Sequence, residues 1–193
     1  MSPTENLRAR PRRAFTLVEL LVATGLSGFI LTAILTTFAM LGRSGYNAAN
    51  YSVMEAEARR ALETFSEEAR LASNITWTSA NSITLTVVTA SGTTLVTYAY
   101  DPATTGNTAQ CFYRLAGAAS SASSRLILVR GVSDFAFRRY KVVNGADFSA
   151  ANDLETKQIQ ITLRSVRTGA TTVAATNAVL SARVVLRNKV VNT

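Results

Sequence analysis

The spacing of hydrophobic positions changes twice along this chain, and each pattern predicts a different element. The first pattern is a run of 22 residues without a charge, from Leu20 to Leu41. As a helix, such a run spans about 33 Å, which is enough to cross a hydrocarbon core of roughly 30 Å. The run therefore predicts a membrane-spanning helix.

The second pattern has apolar residues at spacings of three and four, which is typical of an amphipathic helix. Gly42 and Gly45 precede it and predict a bend after the spanning run. Its apolar stripe is expected to pack on the following sheet. The stripe consists of Met54, Ala58, Ala61, Leu62, Phe65, Ala69 and Ala72.

The third pattern begins near Ile75, where polar and apolar residues alternate and β-branched residues become frequent. Such alternation is typical of antiparallel strands with one buried face. We therefore expect an α+β fold, in which a long helix packs on an antiparallel sheet. The predicted strands are Ser82–Val88, Thr93–Tyr100, Gln110–Leu115, Arg125–Val129, Asp134–Tyr140, Gln158–Arg164 and Leu180–Arg187.

Composition narrows the classes of function. The chain has 193 residues, a formal charge of +8 and no histidine, so it lacks the commonest general base and the commonest zinc ligand. A single cysteine, Cys111, cannot form an internal disulfide and is expected in a buried strand. No nucleophile with a base and no phosphate-binding glycine loop is found, so we expect neither an enzyme nor catalytic residues.

Positive charge on one side of the apolar run predicts its orientation in the membrane. Four arginines, Arg8, Arg10, Arg12 and Arg13, precede the run, and the next basic residue is Arg43. This bias places the N-terminus in the cytoplasm and the remainder across the membrane. Three alternatives stay open: a cleaved signal peptide, a twin-arginine export signal and an uncleaved signal anchor. The long run and the acid near its start argue against them.

That acid is Glu19, within the stretch "AFTLVELL" from Ala14 to Leu21. The stretch resembles the cleavage site of type IV prepilins, with Ala14 where glycine is usual. By this resemblance, a prepilin peptidase cuts between Ala14 and Phe15 and methylates the new amino group of Phe15. Thr16, Leu17 and Glu19 are the implied recognition and assembly positions.

A carboxylate within a bilayer is expected to have a partner. Cleavage before Phe15 would leave an ammonium group at the positive end of a helix, where an anion is favourable. We therefore expect Glu19 to pair with the amino terminus of Phe15 on a neighbouring subunit. The alternative is that Glu19 reaches water at the membrane surface without a partner.

The resemblance also implies an organisation: a cleaved leader at 1–14, an assembly helix at 15–41, an amphipathic helix at 42–73 and a sheet domain at 74–193. The later segments look most like W-type minor pilins or J-type minor pseudopilins of type II secretion. We expect a single-pass protein of the bacterial inner membrane with a periplasmic head, later part of a pilus or pseudopilus. Its partners would be prepilin peptidase, other pilins and the inner-membrane assembly platform.

The alternative function is a singly anchored periplasmic domain that binds a ligand or DNA and never polymerises. Basic residues around Tyr140 could contact phosphates, although alternation along strands more often reflects a solvated sheet face. Oxygen ligands crowd the loop that holds Asn144, Asp147, Asn152, Asp153 and Glu155, and they could bind calcium. Their spacing matches no EF-hand, so the sequence predicts a solvated acidic loop and no required cofactor.

Overall fold

The computed structural model describes residues 15–167 and 177–191. It has one helix followed by strands, which confirms the predicted α+β class. The helix, α1, covers Leu17–Leu71 and continues without interruption through Gly42 and Gly45. The strands are β1 (Ala72–Ser79), β2 (Ser82–Thr89), β3 (Gly92–Asp101), β4 (Cys111–Ala116), β5 (Arg125–Val129), β6 (Val132–Val143), β7 (Ala146–Ser149), β8 (Gln158–Val166) and β9 (Asn177–Val185).

The strands form two antiparallel sheets, where the residue pattern predicted a single sheet. One sheet has the order β1-β2-β3-β4-β5, and the other has the order β7-β6-β8-β9. The chain passes between them at Gly131, whose φ of 65° would strain any other residue. A Cβ atom there would lie 2.5 Å from the carbonyl oxygen of Val166, so the close approach also requires glycine.

The seven predicted strands all form, with ends shifted by up to three residues, and two further strands were not predicted. Ala72 was assigned to the helix but begins β1, where it pairs with Val87. It is fully buried, so its apolar character fits either element. The short strand β7 follows a turn in which Asn144 and Gly145 both have positive φ, 51° and 80°. Such a turn joins β6 to β7 as a tight hairpin.

The chain consists of two compact units, with the boundary between Ser44 and Gly45. In the first unit, every described side chain from Phe15 to Ser44 is exposed. This part of α1 is long and apolar enough to cross a membrane. We call the second unit, from Gly45 on, the head.

The core of the head lies between α1 and the sheets. Helix residues Met54, Ala58, Ala61, Phe65 and Ala69 are buried, as the predicted stripe requires. The Phe65 ring lies 5.1 Å from that of Tyr98 on β3 and 5.8 Å from that of Phe137 on β6, centroid to centroid, so it joins the helix to both sheets. Cys111 is buried at the start of β4, as expected.

Candidate processing and assembly site

The candidate site lies at the start of α1. Ala14, the residue before the predicted cleavage point, lies outside the described residues. Phe15 is 87% exposed, and Thr16 follows it immediately before the helix begins at Leu17. The first helical hydrogen bond runs from the Leu20 N–H to the Thr16 carbonyl oxygen, at 3.2 Å. Thr16 is therefore the N-cap residue of the helix.

Thr16 and Glu19 form a reciprocal capping box. The backbone N–H of Thr16 donates to Glu19 Oε2 at 3.0 Å, and the Thr16 hydroxyl donates to the same oxygen at 3.0 Å. In return, the Glu19 N–H donates to Thr16 Oγ1 at 3.2 Å. This arrangement satisfies two backbone N–H groups that a helix start otherwise leaves without partners.

The capping box fixes where the carboxylate lies. Glu19 Oε2 bonds the nitrogen of Thr16, and the nitrogen of Phe15 is one residue away along the chain. Cleavage before Phe15 would therefore create an ammonium group close to the carboxylate of the same chain. The pairing of Glu19 with a neighbouring subunit stays a prediction. The partner that the structure shows is Thr16 of the same chain. The Thr-x-x-Glu spacing was the sequence signal for this role of Thr16, and it was overlooked.

Threonines farther along the first unit have their hydroxyl groups satisfied by the helix itself. Thr24 donates to the Leu20 carbonyl oxygen at 2.9 Å, and Thr32 donates to that of Gly28 at 2.8 Å. Thr36 and Thr37 donate to Thr32 and Ala33 in the same way. A hydroxyl bonded in this manner needs no water, so these residues are compatible with a lipid environment.

In the head, the acids considered for calcium are bound to cations from other elements. Asn152 accepts from the Glu155 N–H at 3.0 Å and so caps a turn. Within residues 15–167 and 177–191, no three Cys, Asp or Glu side chains gather in a way that could hold a metal ion. The ion pairs are Arg139–Asp153 at 2.7 Å, Lys141–Glu155 at 3.1 Å and Arg183–Asp147 at 2.6 Å.

The same pairs engage several of the cations considered for DNA. The guanidinium of Arg183 also lies 4.0 Å from the ring centroid of Tyr140, so it covers one face of the only aromatic ring considered for base stacking. Asp153 accepts from the backbone N–H of Trp77 at 3.0 Å, and the Arg139 guanidinium lies 5.0 Å from the Trp77 ring centroid. These contacts connect β1 of one sheet to β6 of the other and give the charges a structural role.

A further charged network fastens α1 to the five-stranded sheet. Arg114 on β4 donates to both carboxylate oxygens of Glu68, and its closest contact is 2.6 Å. The Tyr98 hydroxyl donates to Glu68 Oε2 at 2.6 Å. Burial of the phenol is the main cause that raises the pKa of Tyr98, and its hydrogen bond to the Glu68 carboxylate adds to the effect. No local sequence pattern predicted this network, because Tyr98 and Arg114 lie 30 and 46 residues from Glu68 along the chain.

Comparison with known proteins bears on the start of the chain. Residues 9–35 match the family model described as the prokaryotic N-terminal methylation motif. A search of curated proteins finds no match to the chain. The matched segment contains the predicted cleavage point, the capping box and more than half of the uncharged run. The N-terminal segment is therefore that of a type IV prepilin-like protein.

Proposed function

We propose that this chain is a minor subunit of a type IV pilus or of a type II secretion pseudopilus. A prepilin peptidase removes residues 1–14 and methylates Phe15, and the mature chain then enters the filament through the first unit of α1. The match of residues 9–35 to the methylation motif is the single observation that carries this proposal.

The described contacts support an assembly role for the first unit. Its side chains are exposed from Phe15 to Ser44. In the bilayer, lipid covers such a surface, and in a filament neighbouring helices would cover it. Basic residues before the run favour a cytoplasmic N-terminus and a periplasmic head.

Glu19 is the assembly residue in this proposal. Its carboxylate is held at the helix start by Thr16, where a cut before Phe15 would generate a positive charge. The carboxylate can then bind its own ammonium group or that of an adjacent subunit, which would fix the axial position of the two chains. The proposed role is structural, and it uses neither catalysis nor a metal ion.

The first test is the mass of the mature chain. The full-length protein would be produced in a bacterium with a type IV pilus system and extracted from membranes and from sheared filaments. We expect the filament-associated chain to begin at Phe15 and to carry one additional methyl group. A full-length, unmodified chain in both fractions would contradict the proposal and favour a singly anchored protein.

The second part of the test separates processing from assembly. Glu19→Ala should lower the amount of chain in sheared filaments by about tenfold or more, because the charge at the helix start loses its counterion. Glu67→Ala is the matched control, since Glu67 is an exposed acid on the same helix within the head. Equal incorporation of both variants would remove Glu19 from the proposed mechanism.

A further inference from the structure

The turn that joins β6 to β7 holds the only Asn-Gly pair of the sequence, Asn144-Gly145. Both residues are exposed, and both have left-handed backbones, with φ angles of 51° and 80°. Val143 and Ala146 pair with each other across the turn, so the Gly145 N–H has no partner in the β6–β7 ladder. The Gly145 nitrogen is therefore available for a reaction with a neighbouring group.

The surroundings of Gly145 leave room for such a reaction. Glycine has no Cβ atom that would obstruct a group approaching its own N–H. A Cβ atom at this position would also have no atom beyond its chain neighbours within 4 Å, so no other element crowds the turn. Asn107 provides the contrast, because it is exposed too but precedes Thr108, a β-branched and buried residue. The two asparagines thus differ in the residue that follows them.

Strand β7 is short and lies at the edge of its sheet, which allows the hairpin to open. It has four residues, all of them exposed, and it stands next to β6 at the end of the strand order. Asp147 connects it to the other strands by accepting from Gln158 at 2.9 Å and from Arg183 at 2.6 Å. An exposed edge hairpin opens at a lower free energy than a buried core. Opening releases Asn144 from its left-handed conformation while the core stays closed.

We propose that Asn144 is a site of spontaneous modification, which converts through a cyclic imide to aspartate and isoaspartate while the core of the head stays folded. In the opened turn, the Gly145 nitrogen attacks Cγ of Asn144 and forms a five-membered ring. The C–N bond of the side-chain amide breaks, and its nitrogen leaves as ammonia with the proton of the Gly145 N–H. Water then opens the ring at either carbonyl carbon. Water is the only co-reactant.

The two products affect the hairpin differently. Aspartate keeps the length of the backbone and tolerates a left-handed conformation. Isoaspartate directs the main chain through the side-chain carboxyl carbon, which adds one carbon atom to a two-residue turn. Val143 can then no longer face Ala146 while Asp147 stays on Arg183. The isoaspartate form should therefore release β7 from the sheet and leave Arg183 without this carboxylate.

The test is to incubate the full-length protein in detergent at mildly alkaline pH and to map asparagine conversion by peptide mass spectrometry. We expect the converted fraction at Asn144 to exceed that at Asn107 at least about tenfold, because the β-branched Thr108 obstructs the same attack. Electron-transfer fragmentation should find both aspartate and isoaspartate at Asn144. Asn144→Gln should suppress the conversion, because its side chain is one carbon longer and would have to close a larger ring.

Phe65→Ala separates opening of the hairpin from unfolding of the whole head. It removes a core ring that contacts both sheets and leaves the turn intact, so the conversion rate at Asn144 should stay within about twofold of wild type. Urea below the unfolding transition gives the same test without a substitution. A rate that rises with the unfolded fraction would overturn the proposal. Equal conversion at Asn144 and Asn107 would overturn it as well, and so would aspartate without isoaspartate.

Hydrogen exchange tests the predicted release of β7. Peptides that contain Ala146–Ser149 should exchange faster in the isoaspartate fraction than in fresh protein. Asn144→Asp is the matched control, since it adds the same charge with a normal backbone and should exchange like fresh protein. Unchanged exchange in the isoaspartate fraction would show that the hairpin accommodates the extra carbon atom, and the release of β7 would then be wrong.

Discussion

The two units of this chain use apolar side chains in opposite ways. Phe29 and Phe38 in the first unit are 77% and 68% exposed, whereas Phe65 and Phe112 in the head are fully buried. The helix satisfies the backbone of the first unit, and its side chains are exposed from Phe15 to Ser44. The head supplies its own core. The difference is the one expected between a helix that can anchor a chain in a membrane and a domain that has its own core.

Charged groups show the same contrast. Among the described residues, the carboxylate of the first unit, Glu19, binds Thr16, the residue that starts its own helix. In the head, Glu68, Asp147 and Asp153 bind cations that lie on other elements. Ion pairs therefore connect elements within the head, whereas Glu19 lies at a helix start where a group from another molecule can reach it.

The largest predicted effect tests whether the core belongs to the head alone. Phe65→Ala should lower the free energy of unfolding by about 3–5 kcal/mol, because it removes a ring that contacts both sheets. Phe29→Ala is the matched change in the first unit and should leave unfolding of the head unchanged. Urea titration of the full chain in detergent, followed by Trp77 fluorescence, measures both.

A similar loss of unfolding free energy in Phe65→Ala and Phe29→Ala would contradict the contrast between the two units. It would mean that the exposed face of the first unit contributes to the stability of the head. A small loss for Phe65→Ala alone would instead show that neighbouring aromatic rings close the cavity.

The second prediction compares two carboxylates on the same helix. Glu68→Ala should destabilise the head by about 1–3 kcal/mol, because it leaves the partly buried Arg114 without its counterion. Glu19→Ala should leave the unfolding midpoint of the head unchanged. The measurement is again urea titration with Trp77 fluorescence.

Glu55→Ala is the control for this pair of variants. Glu55 binds Arg59 at 2.5 Å, but the Arg59 side chain is 70% exposed, so the pair should contribute little. If Glu55→Ala destabilised the head as much as Glu68→Ala, burial would not be the property that distinguishes the two pairs.

Patterns with a short period predicted most of the fold. The uncharged run and the apolar stripe predicted α1 because helical spacing depends on neighbours three and four residues away. Alternation predicted the strands for the same local reason. The Asn144-Gly145 turn was a local hairpin signal as well, and it was missed because β7 has only exposed side chains.

Contacts between distant residues could not be predicted in this way. The division into two sheets depends on contacts such as the one between the Phe137 N–H and the Ala80 carbonyl oxygen at 2.7 Å. The partners of Glu68 come from β3 and β4, so its role depends on the folded topology. The start of α1 differs, since Thr16 and Glu19 are three residues apart and their bond follows from spacing alone.

The smallest predicted effect is a loss of stability at alkaline pH. It tests how well the head excludes water from the buried hydroxyl group of Tyr98. Burial and the hydrogen bond to Glu68 raise the pKa of Tyr98 above its ordinary value of about 10. Above that pH the unfolded chain loses the phenol proton while the folded chain keeps it, so unfolding becomes more favourable. Stability from this group is complete below pH 10 and is lost as the pH rises toward the folded pKa.

Tyr98→Phe has no such titration, so the stability gap between wild type and variant should narrow by about 1.4 kcal/mol between pH 8 and pH 11. Urea titrations at both pH values measure this difference, because all other groups titrate equally in the two proteins. A constant gap between wild type and Tyr98→Phe would mean that water reaches the Tyr98 hydroxyl. The packing between α1 and the five-stranded sheet would then admit more water than the buried rings of Phe65 and Phe112 indicate.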